Sequence, residues 1–150
     1  MAAIKRVNKE YLDLLNNPHP DFTIERHLEN GLKLNIILNG PIDTPYEGGV
    51  FYFEISFPSD YPFKPLKIQL LTEMYHPQFI KKTICCCQLD SLGDNWSPAK
   101  TTLTIFNEIL ALMITPDFNN PCVGDEFKGK KIDYNEFVKK AKEWTLKYAI

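Results

Sequence analysis

Three consecutive cysteines, Cys85-Cys86-Cys87, are the residues of this chain whose type best suits chemistry. A thiolate is both a strong nucleophile and a good leaving group, so one such side chain can carry an acyl group between two partners. Plainer readings stand beside that one. Cysteine is a small hydrophobe that fills space in a core. Tetrahedral metal sites use spacings such as Cys-x2-Cys, whereas adjacent cysteines point apart, and Cys122 lies far along the chain. Nor is Cys-x-Cys the usual spacing of a two-cysteine redox pair. His76 precedes a proline, and a loop histidine is more often a structural hydrogen-bonder than a base. No partner spacing identifies a Cys-His-Asn triad. Read residue by residue, the chemistry comes down to a candidate thiol.

The elements that must hold this thiol are visible as a change of period. Ile4, Val7, Tyr11 and Leu14 fall at helical spacing, with Lys5, Arg6, Lys9, Glu10 and Asp13 on the other faces, and Asn16-Asn17-Pro18 ends the helix. Leu32, Leu34, Ile36 and Leu38 then alternate, preceded by the tight-hairpin dipeptide Asn30-Gly31, which makes Phe22 to Glu29 the partner strand. Phe51, Phe53, Ile55 and Phe57 alternate in turn, as do Leu66, Ile68 and Leu70. Four consecutive antiparallel strands with one buried face are the expectation. No period fits from Thr72 to Pro98. An ordered loop of that length is usually functional, and the cysteines sit inside it. Helical spacing returns at Leu103, Phe106, Leu110 and Met113, backed by Ile105, Ile109 and Ile114, in a helix expected to be buried on most sides against the sheet. A last helix is expected from Asp133, with Glu136 completing a capping box and Phe137, Ala141, Trp144 and Tyr148 on one face. Helix, four-stranded meander, long loop, then helices make an α+β fold.

At 150 residues and 44% apolar the chain has material for one core, so a single domain over residues 1–150 is expected. The net charge of −2 offers no reason for nucleic-acid or anionic-membrane binding. No run approaches the roughly 18 apolar residues of a membrane span, and Met1 to Arg6 carry no signal-peptide stretch. The four cysteines are therefore expected to be reduced thiols in a cytoplasmic or nuclear protein.

Six stretches, in order, carry a resemblance that runs almost end to end. They are Gly40-Pro41; Thr44-Pro45-Tyr46-Glu47-Gly48-Gly49-Val50-Phe51; Phe57-Pro58-Ser59-Asp60-Tyr61-Pro62-Phe63-Lys64-Pro65; Tyr75-His76-Pro77; Trp96-Ser97-Pro98-Ala99; and Glu143-Trp144-Thr145-Leu146-Lys147-Tyr148-Ala149. The chain resembles the ubiquitin-conjugating enzymes. The resemblance implies a cysteine that takes ubiquitin from the activating enzyme as a thioester and passes it to a substrate lysine or to a ligase cysteine. It implies no cofactor and no metal, since ATP is used by the activating enzyme. The implied partners are ubiquitin, the activating enzyme, RING or HECT ligases and protein substrates, with the chain acting as a monomer.

The chain departs from the family pattern around the thiol. The family reads His-Pro-Asn, a glycine-containing turn, then Ile- or Val-Cys-Leu; here Gln78 replaces the Asn and Lys82-Thr83 stands where the glycine would be. Counting forward from His76 without a gap selects Cys86, matching the preceding Ile selects Cys85, and an insertion counted back from Trp96 keeps Cys87 open. Cys86 is the first choice and Cys85 the second. By resemblance, Gln78 takes the role of bracing the loop and stabilising the oxyanion. The resemblance also implies that Asn120 stands beside the cysteine, where many relatives have an acidic residue. The ligase contact maps onto Phe63, Ser97, Pro98 and Ala99, with Lys5 and Arg6 on the first helix. Trp96 reads as structural, and Thr23 lies where some relatives bind a second ubiquitin. The alternative reading is a catalytically inactive ubiquitin-conjugating-like adaptor that scaffolds ubiquitin or a ligase.

Overall fold

The computed structural model describes residues 2–26, 31–80, 83–84, 90–92, 95–118 and 133–150. The chain begins with α1 (Ala2–Asn16), then forms β1 (Phe22–Arg26), β2 (Lys33–Asn39), β3 (Val50–Ser56) and β4 (Lys67–Leu70). These four strands pair in sequence order, each antiparallel to the next. Alternation dictates this sheet. Ile24, Ile36, Phe53 and Leu70 stand opposite one another across the four strands, as do Phe22, Leu38 and Phe51 across three. All of these side chains are buried, while the intervening residues face outward or are half-covered.

The buried face is closed by α2 (Thr102–Ile114). Phe106 lies edge-on to Phe53 with ring centroids 5.3 Å apart and tilts against Phe22 at 5.7 Å. A fully buried aromatic of this kind contributes roughly 1.5–3 kcal/mol through removal of apolar surface from water. Thr101 caps the helix in a reciprocal box with Thr104. The expectation of a helix buried on most sides is too strong, because Leu103 and Ile114 are exposed. The last described helix, α3 (Tyr134–Tyr148), follows Asp133 as its cap, as expected, but the expected capping box with Glu136 does not form: the Asp133 carboxylate accepts from the Asn135 N–H instead. It buries Phe137, Ala141 and Thr145, whereas Trp144 is only half-covered and Tyr148, expected on the same face, is exposed. Among the described residues no helix is long and apolar enough to cross a membrane.

Further readings of the sequence change. The stripe expected on α1 is rotated: Ala3, Val7, Glu10 and Leu14 are buried, and Ile4 and Tyr11 are only half-covered. Helical spacing cannot foresee a buried carboxylate, because its burial depends on donors supplied by distant residues. The aperiodic stretch after Thr72 is also more than loop. It holds a two-stranded ladder of β5 (Phe79–Ile80) and β6 (Thr83–Ile84), and a short 3-10 turn at Asp90–Leu92. Strands two residues long leave no period to detect.

The Gly40–Gly49 segment builds a tight turn. The Gly40 N–H donates to the Gly49 carbonyl at 2.9 Å, and the Gly49 N–H donates to the Tyr46 carbonyl at 3.0 Å. A Cβ on Gly40 would stand 1.7 Å from that carbonyl oxygen, so only glycine lets the two backbones meet. The turn delivers the fully buried Tyr46 beneath the segment that leads to the cysteines.

Candidate functional site

Tyr75-His76-Pro77-Gln78 is held from several sides. The Tyr46 hydroxyl donates to the Tyr75 carbonyl at 2.6 Å. The Tyr75 ring packs on Phe137 and Trp144 of α3, with Lys140 Nζ 4.7 Å above it. His76 is buried and stacks on Phe79 at 4.4 Å. Its Nδ1 accepts from the Gln78 N–H at 3.0 Å, which leaves Nε2 as the protonated nitrogen, donating to the Leu112 carbonyl at 2.7 Å. Burial, against a smaller opposing effect of the Leu112 bond, pushes the imidazole pKa down to about 4. His76 is therefore neutral at physiological pH and acts as a structural hydrogen-bonder, in line with the plain reading of its sequence.

Gln78 is fully buried and its amide closes a two-way pair with the backbone of Asp117, just past α2. Nε2 donates to the Asp117 carbonyl, and Oε1 accepts from the Asp117 N–H at 3.1 Å. This clamp ties the chain entering β5 to the end of α2. The side chain thus occupies a bracing position. Ile84 ends β6 one residue before the first cysteine. Cys85, Cys86, Cys87 and Asn120 lie outside the described residues.

A second constellation forms where α1 meets the loops after β3 and before α2. Phe63 is 77% exposed at the tip of the Tyr61–Pro65 segment. Trp96 donates its indole N–H to the Pro62 carbonyl at 2.9 Å and lies 5.9 Å from the Tyr61 ring, which joins the two loops. Trp96 is structural, as its sequence context suggests. Pro98 and Ala99 are exposed and Ser97 is half-covered. Lys5 is exposed on α1. Arg6 instead turns inward: its Nη2 donates to the carbonyls of Pro98 at 2.8 Å and Lys100 at 3.0 Å, and its Nε donates to Glu10 at 2.9 Å. An exposed aromatic beside a proline-containing loop has the chemistry of an anchor for a protein partner. Thr23 is exposed on β1.

Sequence reasoning missed Glu10 and Asp117. The Arg6–Glu10 spacing of four was a visible signal for the first. Asp117 acts through its backbone, which leaves no side-chain signal to find.

Comparison with known proteins gives a consistent result. A family model described as ubiquitin-conjugating enzyme matches residues 6–145. Among solved structures, the chain is similar to a Plasmodium yoelii protein provisionally described as a ubiquitin conjugating enzyme. The two share 34% identity at a TM-score of 0.88, over 99% of this chain and 96% of the other.

Proposed function

Because the chain belongs to the ubiquitin-conjugating enzyme family, we propose that it is an active member using Cys86 as acceptor. The Cys86 thiolate attacks the thioester carbonyl that joins ubiquitin to the activating enzyme. A new C–S bond forms, the old one breaks, and the activating enzyme leaves as thiolate. A substrate lysine then attacks the new thioester, forming a C–N bond and releasing the Cys86 thiolate, while the amine gives its proton to solvent. Transfer to a ligase cysteine is a second thiol exchange. ATP is needed by the activating enzyme alone. The protein works as a monomer in the cytoplasm or nucleus, where thiols stay reduced.

The observation that carries the reading is the seating of Gln78. Its amide pairs with both backbone groups of Asp117 and so braces the chain that runs into the cysteine loop. A loop held in this way retains the support that a reacting thioester needs even though Gln stands for the family's Asn. Phe63, Ser97, Pro98 and Ala99, with Lys5 on α1, form the ligase contact in this reading, and Arg6 supports it from within. Asn120, by its match to the family pattern, is the residue that hydrogen-bonds the incoming lysine in this reading.

The test is a charging reaction with activating enzyme, ubiquitin and ATP, resolved on a gel with and without reducing agent. Cys85→Ser, Cys86→Ser and Cys87→Ser are run beside the parent. The expected result is a reducible adduct of one ubiquitin that disappears only in Cys86→Ser. Disappearance only in Cys85→Ser moves the nucleophile by one residue. No adduct with any of several activating enzymes replaces this reading with that of the inactive adaptor.

A further inference from the structure

Glu10 is a charged residue with only 6% of its surface exposed, and its surroundings account for that burial. Oε2 accepts from Arg6 Nε at 2.9 Å and from the Tyr61 hydroxyl at 2.6 Å, while Oε1 accepts from the Thr102 N–H at 2.7 Å. The donors come from three places: α1 itself, the Tyr61–Pro65 segment, and the first turn of α2. The Thr102 N–H is among those that an α-helix leaves unpaired at its start, so the carboxylate also meets the positive end of α2. Each donor leads outward. Arg6 goes on to the Pro98 and Lys100 carbonyls, which fixes the Ser97–Ala99 loop from beneath. Tyr61 is followed directly by Pro62, whose carbonyl receives the Trp96 indole N–H, and then by Phe63.

We propose that Glu10 is the positioning residue of the partner-facing patch: one buried carboxylate sets the relative placement of Phe63 and Pro98–Ala99 so that they meet a partner as a single preformed surface. The identity of that partner as a ligase rests on the proposed function; the positioning itself does not. A residue that only stabilised α1 would need no donors from residues 61 and 102. An apolar side chain of similar volume could fill the same space without fixing the directions of three donors. Preformed placement matters because a partner then binds without having to order two loops first.

Glu10→Gln in the full chain tests this. Gln keeps the shape and one acceptor oxygen, but its amide nitrogen cannot accept from Arg6, Tyr61 or Thr102. Amide and indole hydrogen exchange is followed by NMR. The expected result is exchange at least about tenfold faster at the Thr102 N–H and the Trp96 indole N–H, with sheet amides such as Ile36 and Phe53 within about twofold of the parent. Tyr61→Phe, a milder change that removes one donor, accelerates the same two protons by a smaller factor. In parallel, immobilised RING domains from a purified panel are screened for binding, and the tightest binder of the parent loses about tenfold in affinity for Glu10→Gln. Equal acceleration at all amides would reduce Glu10 to a general stabiliser and overturn the proposal, as would unchanged exchange at Thr102 and Trp96. Should no RING domain bind the parent, the ligase assignment falls, and the exchange comparison still decides the positioning.

Discussion

Protonating His76 should loosen the segment that leads to the cysteines, and the cost can be worked from its surroundings. In the folded chain Nδ1 accepts from the Gln78 N–H and Nε2 donates to the Leu112 carbonyl, so a second proton must go onto Nδ1 and break the first bond. Burial holds the folded pKa at about 4 against an ordinary value of 6.5. Above pH 6.5 the imidazole is neutral in both states and its contribution to stability is complete. As pH falls below 6.5 the unfolded chain takes up a proton that the folded chain refuses, so stability is lost until about pH 4, where both states are protonated. At about 1.4 kcal/mol per tenfold in proton affinity, the loss is about 2 kcal/mol at pH 5 and approaches about 3 kcal/mol below pH 4. Urea unfolding in reducing buffer, followed by tryptophan fluorescence from pH 8 to 4.5, measures it for the parent and for His76→Gln. Groups common to both proteins cancel in the difference. The difference should shrink by about 2 kcal/mol between pH 7 and 5, because only the parent carries the titrating ring. An NMR titration placing His76 near 6.5, or parallel pH profiles for the two proteins, would refute the reasoning.

Phe63→Ala removes a ring that is 77% exposed, so the melting temperature should stay within about 2 °C of the parent, while ligase-stimulated discharge of ubiquitin to lysine falls at least about tenfold. Thermal unfolding and a single-turnover discharge assay read the two effects separately. Gln78→Ala leaves the N–H and carbonyl of Asp117 without their side-chain partner and should cost about 2–4 kcal/mol in urea unfolding; a loss below about 1 kcal/mol would mean that the clamp does not brace the loop. Gly40→Ala places a methyl 1.7 Å from the Tyr46 carbonyl oxygen, a backbone atom that cannot swing aside. A loss of about 3 kcal/mol by the same method is expected, and a neutral result would show that the turn can open.

Much of the frame is written in local pattern. Alternation at Leu34, Ile36 and Leu38, at Phe51, Phe53 and Ile55, and at Leu66 and Leu70 is a direct statement of which side of a sheet is buried, and the sheet forms with those residues inside. Asn17-Pro18 and Thr115-Pro116 end helices because the residue before proline is driven out of helical backbone angles. The resemblance to ubiquitin-conjugating enzymes likewise rests on stretches that can be read one residue after another.

Tertiary structure decided the placement of charge and amide. Period alone put Glu10 on the polar side of α1; Tyr61 and Thr102, 51 and 92 residues away, turn that position into a buried carboxylate site. Arg6 reads as a cation offered to partners, yet the Pro98 and Lys100 carbonyls draw its guanidinium inward. Gln78 reads as a lengthened stand-in for an asparagine, and its function as a brace depends on the backbone of Asp117 arriving within reach. Periodicity reports which side of its own element a residue faces, because that is fixed by backbone geometry. It carries no information about donors and acceptors that only folding brings together, and those determine where a charge or an amide can be buried.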